Sequence, residues 1–587
     1  MINHPETHQD LPPPYPRSTE RRRWLQLAGA SLMTASLGGC AGGFSSQNKP
    51  RPGARFSLIY YADLLDAQQP DDPIVAATRL GPVTQLGQAP WATGSTLLKH
   101  SLDPRLRALV SPIHARQQRL GGAAALAACL HGIRQQRPQH STLTLENGQC
   151  WNGAGFSLLT QGRAGPETSQ LLGAEIRLSS DERWQWPDQI SQHYQAFDGT
   201  VIGGPVKNAS NSKASGPKTS NPETANRHNT STAHRLKRVS YVERQGVQIA
   251  VIGASDPYAP DEKASLEVWF EALQQATQEA RQQAHLVVLM ADTGAGVVHW
   301  LAERLDIDLL LAARSQIFWP EPVQVQSRHG QSVPVIFPGS RGVGAWALEC
   351  LAQPEGWQFK ARFHAADPNQ WDAITQSHYR RLQPLFEQRY TPYHDWLQQP
   401  IAVTPQWLWR QDATGGSWDG LILAALQAQG QTTGALAPGL RYDRWLAPGQ
   451  TITRDHLLSL TGGHAAPVVT LSLDSPQLTQ LLERATDQYV GSPGLLDNGH
   501  DLPRLSGAQW HCRYTQQGPR VSIDEAPSDW TSFNLHGRQG MPLWQILERY
   551  LSELDGAPSG PRWSAPQPTL SFVSGHPGWH PQWRPEA

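Results

Sequence analysis

The stretch DIDLLLAARSQ, Asp306 to Gln316, runs an apolar strand, Ile307 to Leu311, into two small residues and then offers an Arg, a Ser and a Gln. In α/β proteins ligands bind beyond the carboxyl ends of the strands, so Arg314, Ser315 and Gln316 stand where chemistry is usually done. Arg314 never loses its proton and carries a planar fork of donors, which suits carboxylates and anions and opposes a cation. Gln316 is a neutral, weak ligand. Three carboxylates, Asp63, Asp66 and Asp292, also follow apolar runs. Together they can hold one Mg or Ca ion in principle, with Arg314 arguing against it. His100, His364 and His464 lie outside any ligand-spacing pattern, and lone histidines of that kind are more often surface or structural residues.

Those residues need a sheet to position them, and the alternation along the chain supplies one. FSLIYYA (Phe56 to Ala62) reads as a short apolar strand, Gly121 to Gln136 as a helix, and STLTLENG as a strand. Val247 to Ile252 is a strand ending in turn residues, Lys263 to Ala284 a long helix, His285 to Met290 a strand and Val297 to Leu305 a short helix. Strands rich in Val, Ile and Leu that alternate with helices predict an α/β fold with a sheet covered on both faces. Gly203 to Arg238 is dominated by Ser, Asn, Thr, Lys and Pro, so residues 203–238 cannot offset their ordering entropy and read as a disordered insertion. Residues 366–404 read as a polar helix broken at Pro384 and Pro392, and 405–559 as a second domain, α+β, with a helix from Trp418 to Gln429. The tail, 560–587, is rich in Pro and Trp and reads as irregular.

Composition narrows the function classes. Of 587 residues, 39% are hydrophobic and 17% charged, enough for two or three domains with real cores. With 49 Lys and Arg against 50 Asp and Glu, nothing points to nucleic acid or to an anionic membrane surface. Arg21 to Arg23 precede an apolar run, Trp24 to Leu37, that is too short to span a bilayer. Residues 1–40 therefore read as a signal peptide and 41–55 as a linker. The paired arginines resemble a twin-arginine export signal, and Leu37-Gly38-Gly39-Cys40 resembles a lipobox, so Cys40 is the expected acylation site and the periplasm the expected location. Ala41 lacks an Asp that resembles an inner-membrane retention signal, which favours the outer membrane; a plain secretory signal with a chance Cys is the alternative. Cys129, Cys150, Cys350 and Cys512 are too widely spaced for a disulfide framework and read as buried thiols.

Several segments in order, STLLKH, RLGGAAALAACL, VQIAVIGASDPYAP, RYTPYHDWLQQPIAVT and LAPGLRYDRWLAPGQTITRDHLLSLT, resemble the 5'-nucleotidase family, and within it the SoxB-type thiosulfohydrolases. The resemblance spans Phe56 to about Leu551. It implies a calcineurin-like metallophosphoesterase β-sandwich flanked by helices over 56–365, and a 5'-nucleotidase-type α+β domain over 405–559. It also implies two manganese ions held at strand ends, activating a water or hydroxide.

Against that pattern the ligand positions have changed. The Asp-x-His motif appears as Asp63 with Leu65 at the His position. The Gly-Gly-Asp motif carries Gln149, the Ser-His-x-Gly motif carries Asp292, and the Gly-Gly-His-x-His signature reads Ala312-Ala313-Arg314-Ser315-Gln316. The family's Asn ligand falls at Thr200 or a neighbour, and the stretch matching its assisting His is RLSSDERW, Arg177 to Trp184. The expectation is a SoxB-like pseudoenzyme that takes no metal cofactor, with Arg314 turned into the old site to pair with Asp63 or Asp292. The alternative is an active hydrolase with a single or rearranged metal site. Arg441 matches a substrate-facing position of the family, with Tyr442 and Trp445 adding aromatic surface. It reads equally as an anion contact or as a structural turn pairing with Asp443 or Asp455. The expected partner is the Sox sulfur-carrier protein.

Overall fold

In the computed structural model, the described residues are 52–70, 120–206, 236–316, 318, 321–406, 408, 410, 416–490, 502–513, 519–554, 563 and 569–571. Cys40, His100, most of the 203–238 segment and most of the tail lie outside them. Among the described residues no helix is long and apolar enough to cross a membrane.

Two six-stranded sheets face each other. The first has the order β12-β11-β1-β2-β3-β4, where β1 is Arg55–Tyr61, β2 Thr142–Glu146, β3 Ile176–Leu178, β4 Thr200–Ile202, β11 Gly344–Gln353 and β12 Gly356–Ala365. The second runs β5-β6-β7-β8-β10-β9, built from Val239–Arg244, Val247–Ala254, Leu286–Ala291, Leu309–Ala312, Ser332–Ile336 and Val323–Gln326 in that order. Strands β1 to β4 are parallel, as are β6, β7, β8 and β10. Parallel strands are covered on both faces, which is why β7, LVVLMA, is buried at every residue.

Alternate side chains divide the core. Leu58, Tyr60, Leu143 and Leu145 of the first sheet meet Ile249, Val251, Val288, Met290 and Leu311 of the second, forming the inner layer. Outward residues of the first sheet, Ile59 and Tyr61, pack under helix α1 (Ala123–Gln135). Those of the second sheet pack under α2 (Leu266–Gln283) and α3 (Ala295–Arg304). The result is the predicted sandwich flanked by helices.

The polar segment after it corrects one expectation. Ala373–Leu397, α4, is a single helix with Pro384 and Pro392 inside it. Both prolines are exposed, as are Arg380 and Gln388 one turn earlier, so the carbonyls that lose their partners face water. Leu382, Phe386, Tyr390 and Leu397 hold the other face down. The helix lies close on α1, because a Cβ on Gly132 would sit 2.5 Å from Thr375 Oγ1. The C-terminal α+β domain then centres on α5 (Ser417–Gly430) and a four-stranded sheet of Val468–Ser472, Asp529–Phe533, Gly434–Ala437 and Arg504–Ser506.

Candidate strand-end site

The carboxyl ends of β1, β2, β3, β6, β7 and β8 converge on one polar cluster. The loops there hold Asp63, Leu65, Gln149, Arg314 and Gln316 at φ values between 49 and 71°. Non-glycine residues seldom adopt that left-handed backbone, and a bulky one such as Leu65 does so under strain. The turn geometry that presents side chains to the site is therefore in place even where the side chains carry no ligand atoms.

Each residue named from the sequence can be located. Asp63 is fully buried, and its two oxygens accept the backbone N–H groups of Arg314 (2.8 Å) and Gln316 (3.1 Å). Leu65 does not face the cluster but packs into the apolar core of the C-terminal domain. Gln149 accepts from Arg441 Nη2 at 2.8 Å and donates to Ser180. Asp292 accepts from the Ser180 hydroxyl at 2.6 Å. Gln316 donates to the Arg441 carbonyl at 3.2 Å. Thr200 opens β4, at the opposite end of a parallel strand from the cluster, so it supplies nothing there.

Arg314 turns inward, as expected, but its main partners are different. Its guanidinium lies 2.9 Å from Asp181, 2.8 Å from Asp256 and 3.6 Å from Asp292, and it touches Asp63 only through its backbone. The reason is geometric: Asp63 already closes the loop that carries Arg314, so the side chain is launched across the site to β3 and β6. Asp181 and Asp256 were missed as site residues, although each follows a strand, in RLSSDERW and in VIGASDPYAP, which was the available signal.

The C-terminal domain completes the cluster. Arg441 Nη2 reaches Asp181 at 2.9 Å, and the Tyr442 hydroxyl stands 2.9 Å from the same nitrogen. Neither turn partner expected for Arg441 is used: Asp443 accepts the Arg410 N–H and Asp455 the Gly155 N–H. Tyr442 and Trp445 are buried, Trp445 in the core of the first domain, so they provide no aromatic surface. His464 is brought close, its ring stacked 4.6 Å from Trp184, and burial lowers its pKa to about 3 although Asp181 opposes the shift. His364 sits on the edge strand β12, outside the cluster. Asp66 lines a separate cavity, so the trio Asp63, Asp66 and Asp292 does not assemble.

The electrostatics follow from burial and pairing. Burial pushes Asp181 up, but Arg314 and Arg441 outweigh it and hold its carboxyl well below the usual range. Burial, with Asp292 adding, raises Asp63 to about 7, the two backbone N–H groups opposing. Burial raises Asp292 to about 6, with Arg314 pulling it down and Asp181 pushing it up.

Two divalent cations do not fit these residues. Both oxygens of Asp63 are taken by N–H donors, Leu65 has no donor atom, and the Arg314 guanidinium occupies the space between Asp181, Asp256 and Asp292. Among the described residues no three His, Cys, Asp or Glu side chains converge as ligands.

No protein-family model and no curated protein matches the chain. Solved structures do. The sulfate thiohydrolase SoxB of Thermus thermophilus, in complex with glycerol, superposes with a TM-score of 0.70 at 20% identity, over 89% of this chain and 98% of its own. A 5'-nucleotidase precursor, also from Thermus thermophilus, gives 0.61 at 15% identity, over 89% and 99%. A Staphylococcus aureus protein described as a 5'-nucleotidase gives 0.50 at 13%, over 88% and 99%. The chain thus has their two-domain fold. This corrects the expectation that it takes no cofactor: the fold is shared with a sulfate thiohydrolase and a 5'-nucleotidase precursor, so metal chemistry stays open to it. What the residues exclude is narrower, a pair of ions at the strand ends.

Proposed function

We propose that this chain is an exported SoxB-like protein of periplasmic thiosulfate oxidation in which hydrolysis at the strand ends has been given up, and that it binds a sulfur-carrier protein without turning it over. The observation that carries this reading is Arg314, a fixed cation held at 2.9 and 2.8 Å by two buried carboxylates. At strand ends, two-metal hydrolysis needs ligands for two cations and a nucleophilic water between them. Here an arginine and its counter-ions take that volume, so the cluster offers no set of ligands to hold a water between two cations.

Carrier binding rests on the seam between the domains, where Arg441 joins Asp181 and Gln149. The export address rests on Arg21 to Arg23 and on Cys40 after the apolar run. The test pairs turnover with binding. The full chain, supplied with manganese, should release neither phosphate from a nucleoside monophosphate nor sulfate from a carrier-borne thiosulfonate, yet should bind the carrier in calorimetry. Sustained release of either product refutes the loss of hydrolysis, and absence of heat refutes the partner. Replacing Cys40 by Ser should shift the protein from the membrane to the soluble fraction; unchanged fractionation and mass remove the anchor.

A further inference from the structure

Away from the strand-end cluster, a cavity of 370 Å³ opens where the loop after Asp63, residues 154–156, the end of α4 and the segment 444–456 meet. Its walls include Asp66, Gln68, Phe156, Tyr390 and Asp455. None of Asp63, Gln149, Asp181, Arg314 or Arg441 lines it, so it is a separate site.

Among the described residues, two buried acceptors in this wall have no partner. Asp66 is 2% exposed; one of its oxygens accepts the Gln68 amide at 2.6 Å, and the other, Oδ2, accepts nothing. Gln68, 6% exposed, leaves its carbonyl Oε1 unsatisfied as well. Buried polar atoms are nearly always bonded, so two orphaned acceptors side by side call for a ligand rich in donors. Charge points the same way. Burial pushes Asp66 well above the usual carboxylate range, Gln68 and Arg389 opposing and Asp455 adding, so a cation placed beside it stabilises the charged carboxylate.

The donor belongs to an organic molecule rather than a metal ion. A hard divalent cation with only two protein acceptors would have to keep most of its waters. The guanidiniums of Arg341 and Arg444 also line the cavity, the first bonded to the Asp443 carbonyl (3.2 Å) and the second to Ser459 (3.2 Å) and Asp455 (3.4 Å), and they repel a compact double charge more than a single one. An ammonium group at the Asp66 end, with a polar remainder extending into the rest of the volume, meets both constraints.

We propose that this cavity binds a small primary ammonium compound, its N–H groups donating to Asp66 Oδ2 and Gln68 Oε1 and its charge matched by Asp66. Because the walls come from both domains and from α4, a bound ligand ties the two domains together.

The experiment is titration of the full chain with ethanolamine, choline and magnesium chloride, followed by calorimetry and by the thermal unfolding midpoint. Ethanolamine should bind saturably and raise the midpoint. Choline keeps the positive charge but has no N–H donor, so it should bind at least about tenfold more weakly. Asp66→Asn should weaken ethanolamine at least about tenfold with unchanged circular dichroism, and the choline comparison on the wild type decides the matter if that variant does not fold. No saturable ethanolamine binding, equal binding of choline, or magnesium binding that competes with ethanolamine would each overturn the proposal.

Discussion

Replacing Arg314 by Ala removes a guanidinium from among three carboxylates whose side chains, like its own, are at most 3% exposed. An intact buried ion pair adds little net stability, but stripping one partner strands the other charge, at a cost of about 3 to 5 kcal/mol. The partners are not stranded equally. Asp181 keeps Arg441 at 2.9 Å, whereas Asp256 is left with the Tyr258 N–H at 3.1 Å, so the loss should fall near the lower end of that range. For a domain of this size that lowers the unfolding midpoint by roughly 5 °C. The control is Arg328→Ala, whose side chain is 44% exposed on Glu303, a surface pair worth about 0 to 1 kcal/mol. Urea unfolding followed by tryptophan fluorescence measures both. The sign with pH is a second check. Asp63 and Asp292 titrate at about 7 and about 6, so at pH 5 they are already neutral and the Arg314→Ala penalty should be smaller than at pH 8. Equal midpoint shifts for the two variants, or a penalty that grows in acid, would refute the reasoning.

Three more outcomes are expected. Asp292 binds its proton more tightly folded than unfolded, so it costs stability as pH rises from about 4 to about 6; Asp292→Asn should therefore gain on the wild type across that window, by at most about 1.4 kcal/mol per pH unit, in urea titrations at each pH. Gly148→Ala would place a methyl 2.5 Å from Asp292 Cγ, displacing that carboxylate, and should cost about 1 to 3 kcal/mol in the same assay, while Gly330→Ala, with open space around it, should show only the strain of its backbone. Cys129, Cys150 and Cys350 are buried free thiols, burial pushing Cys129 up to about 12, so none should react with a thiol reagent at pH 8 until denaturant is added; fast labelling of the native protein would contradict their placement.

Local pattern was enough for the elements. Val247–Ala254, Leu286–Ala291 and Leu309–Ala312 lie within two or three residues of the expected strands, because an unbroken run of Val, Ile and Leu ending in small residues suits a strand buried on both faces. Residue type alone also showed that position 314 carries a fixed cation just beyond a strand end. Which carboxylates it meets was not legible. Asp181 and Asp256 are 133 and 58 residues away in the chain, and only the order of strands in two facing sheets brings their ends together. Arg441 is 260 residues from Asp181, and it joins that residue rather than its neighbours Asp443 and Asp455, whose carboxylates are engaged by the backbone N–H groups of Arg410 and Gly155. The prolines of α4 make the same point from the other side: the sequence shows a helix breaker, and only the packed structure shows that the freed carbonyls face water, where leaving them unbonded to the chain costs little.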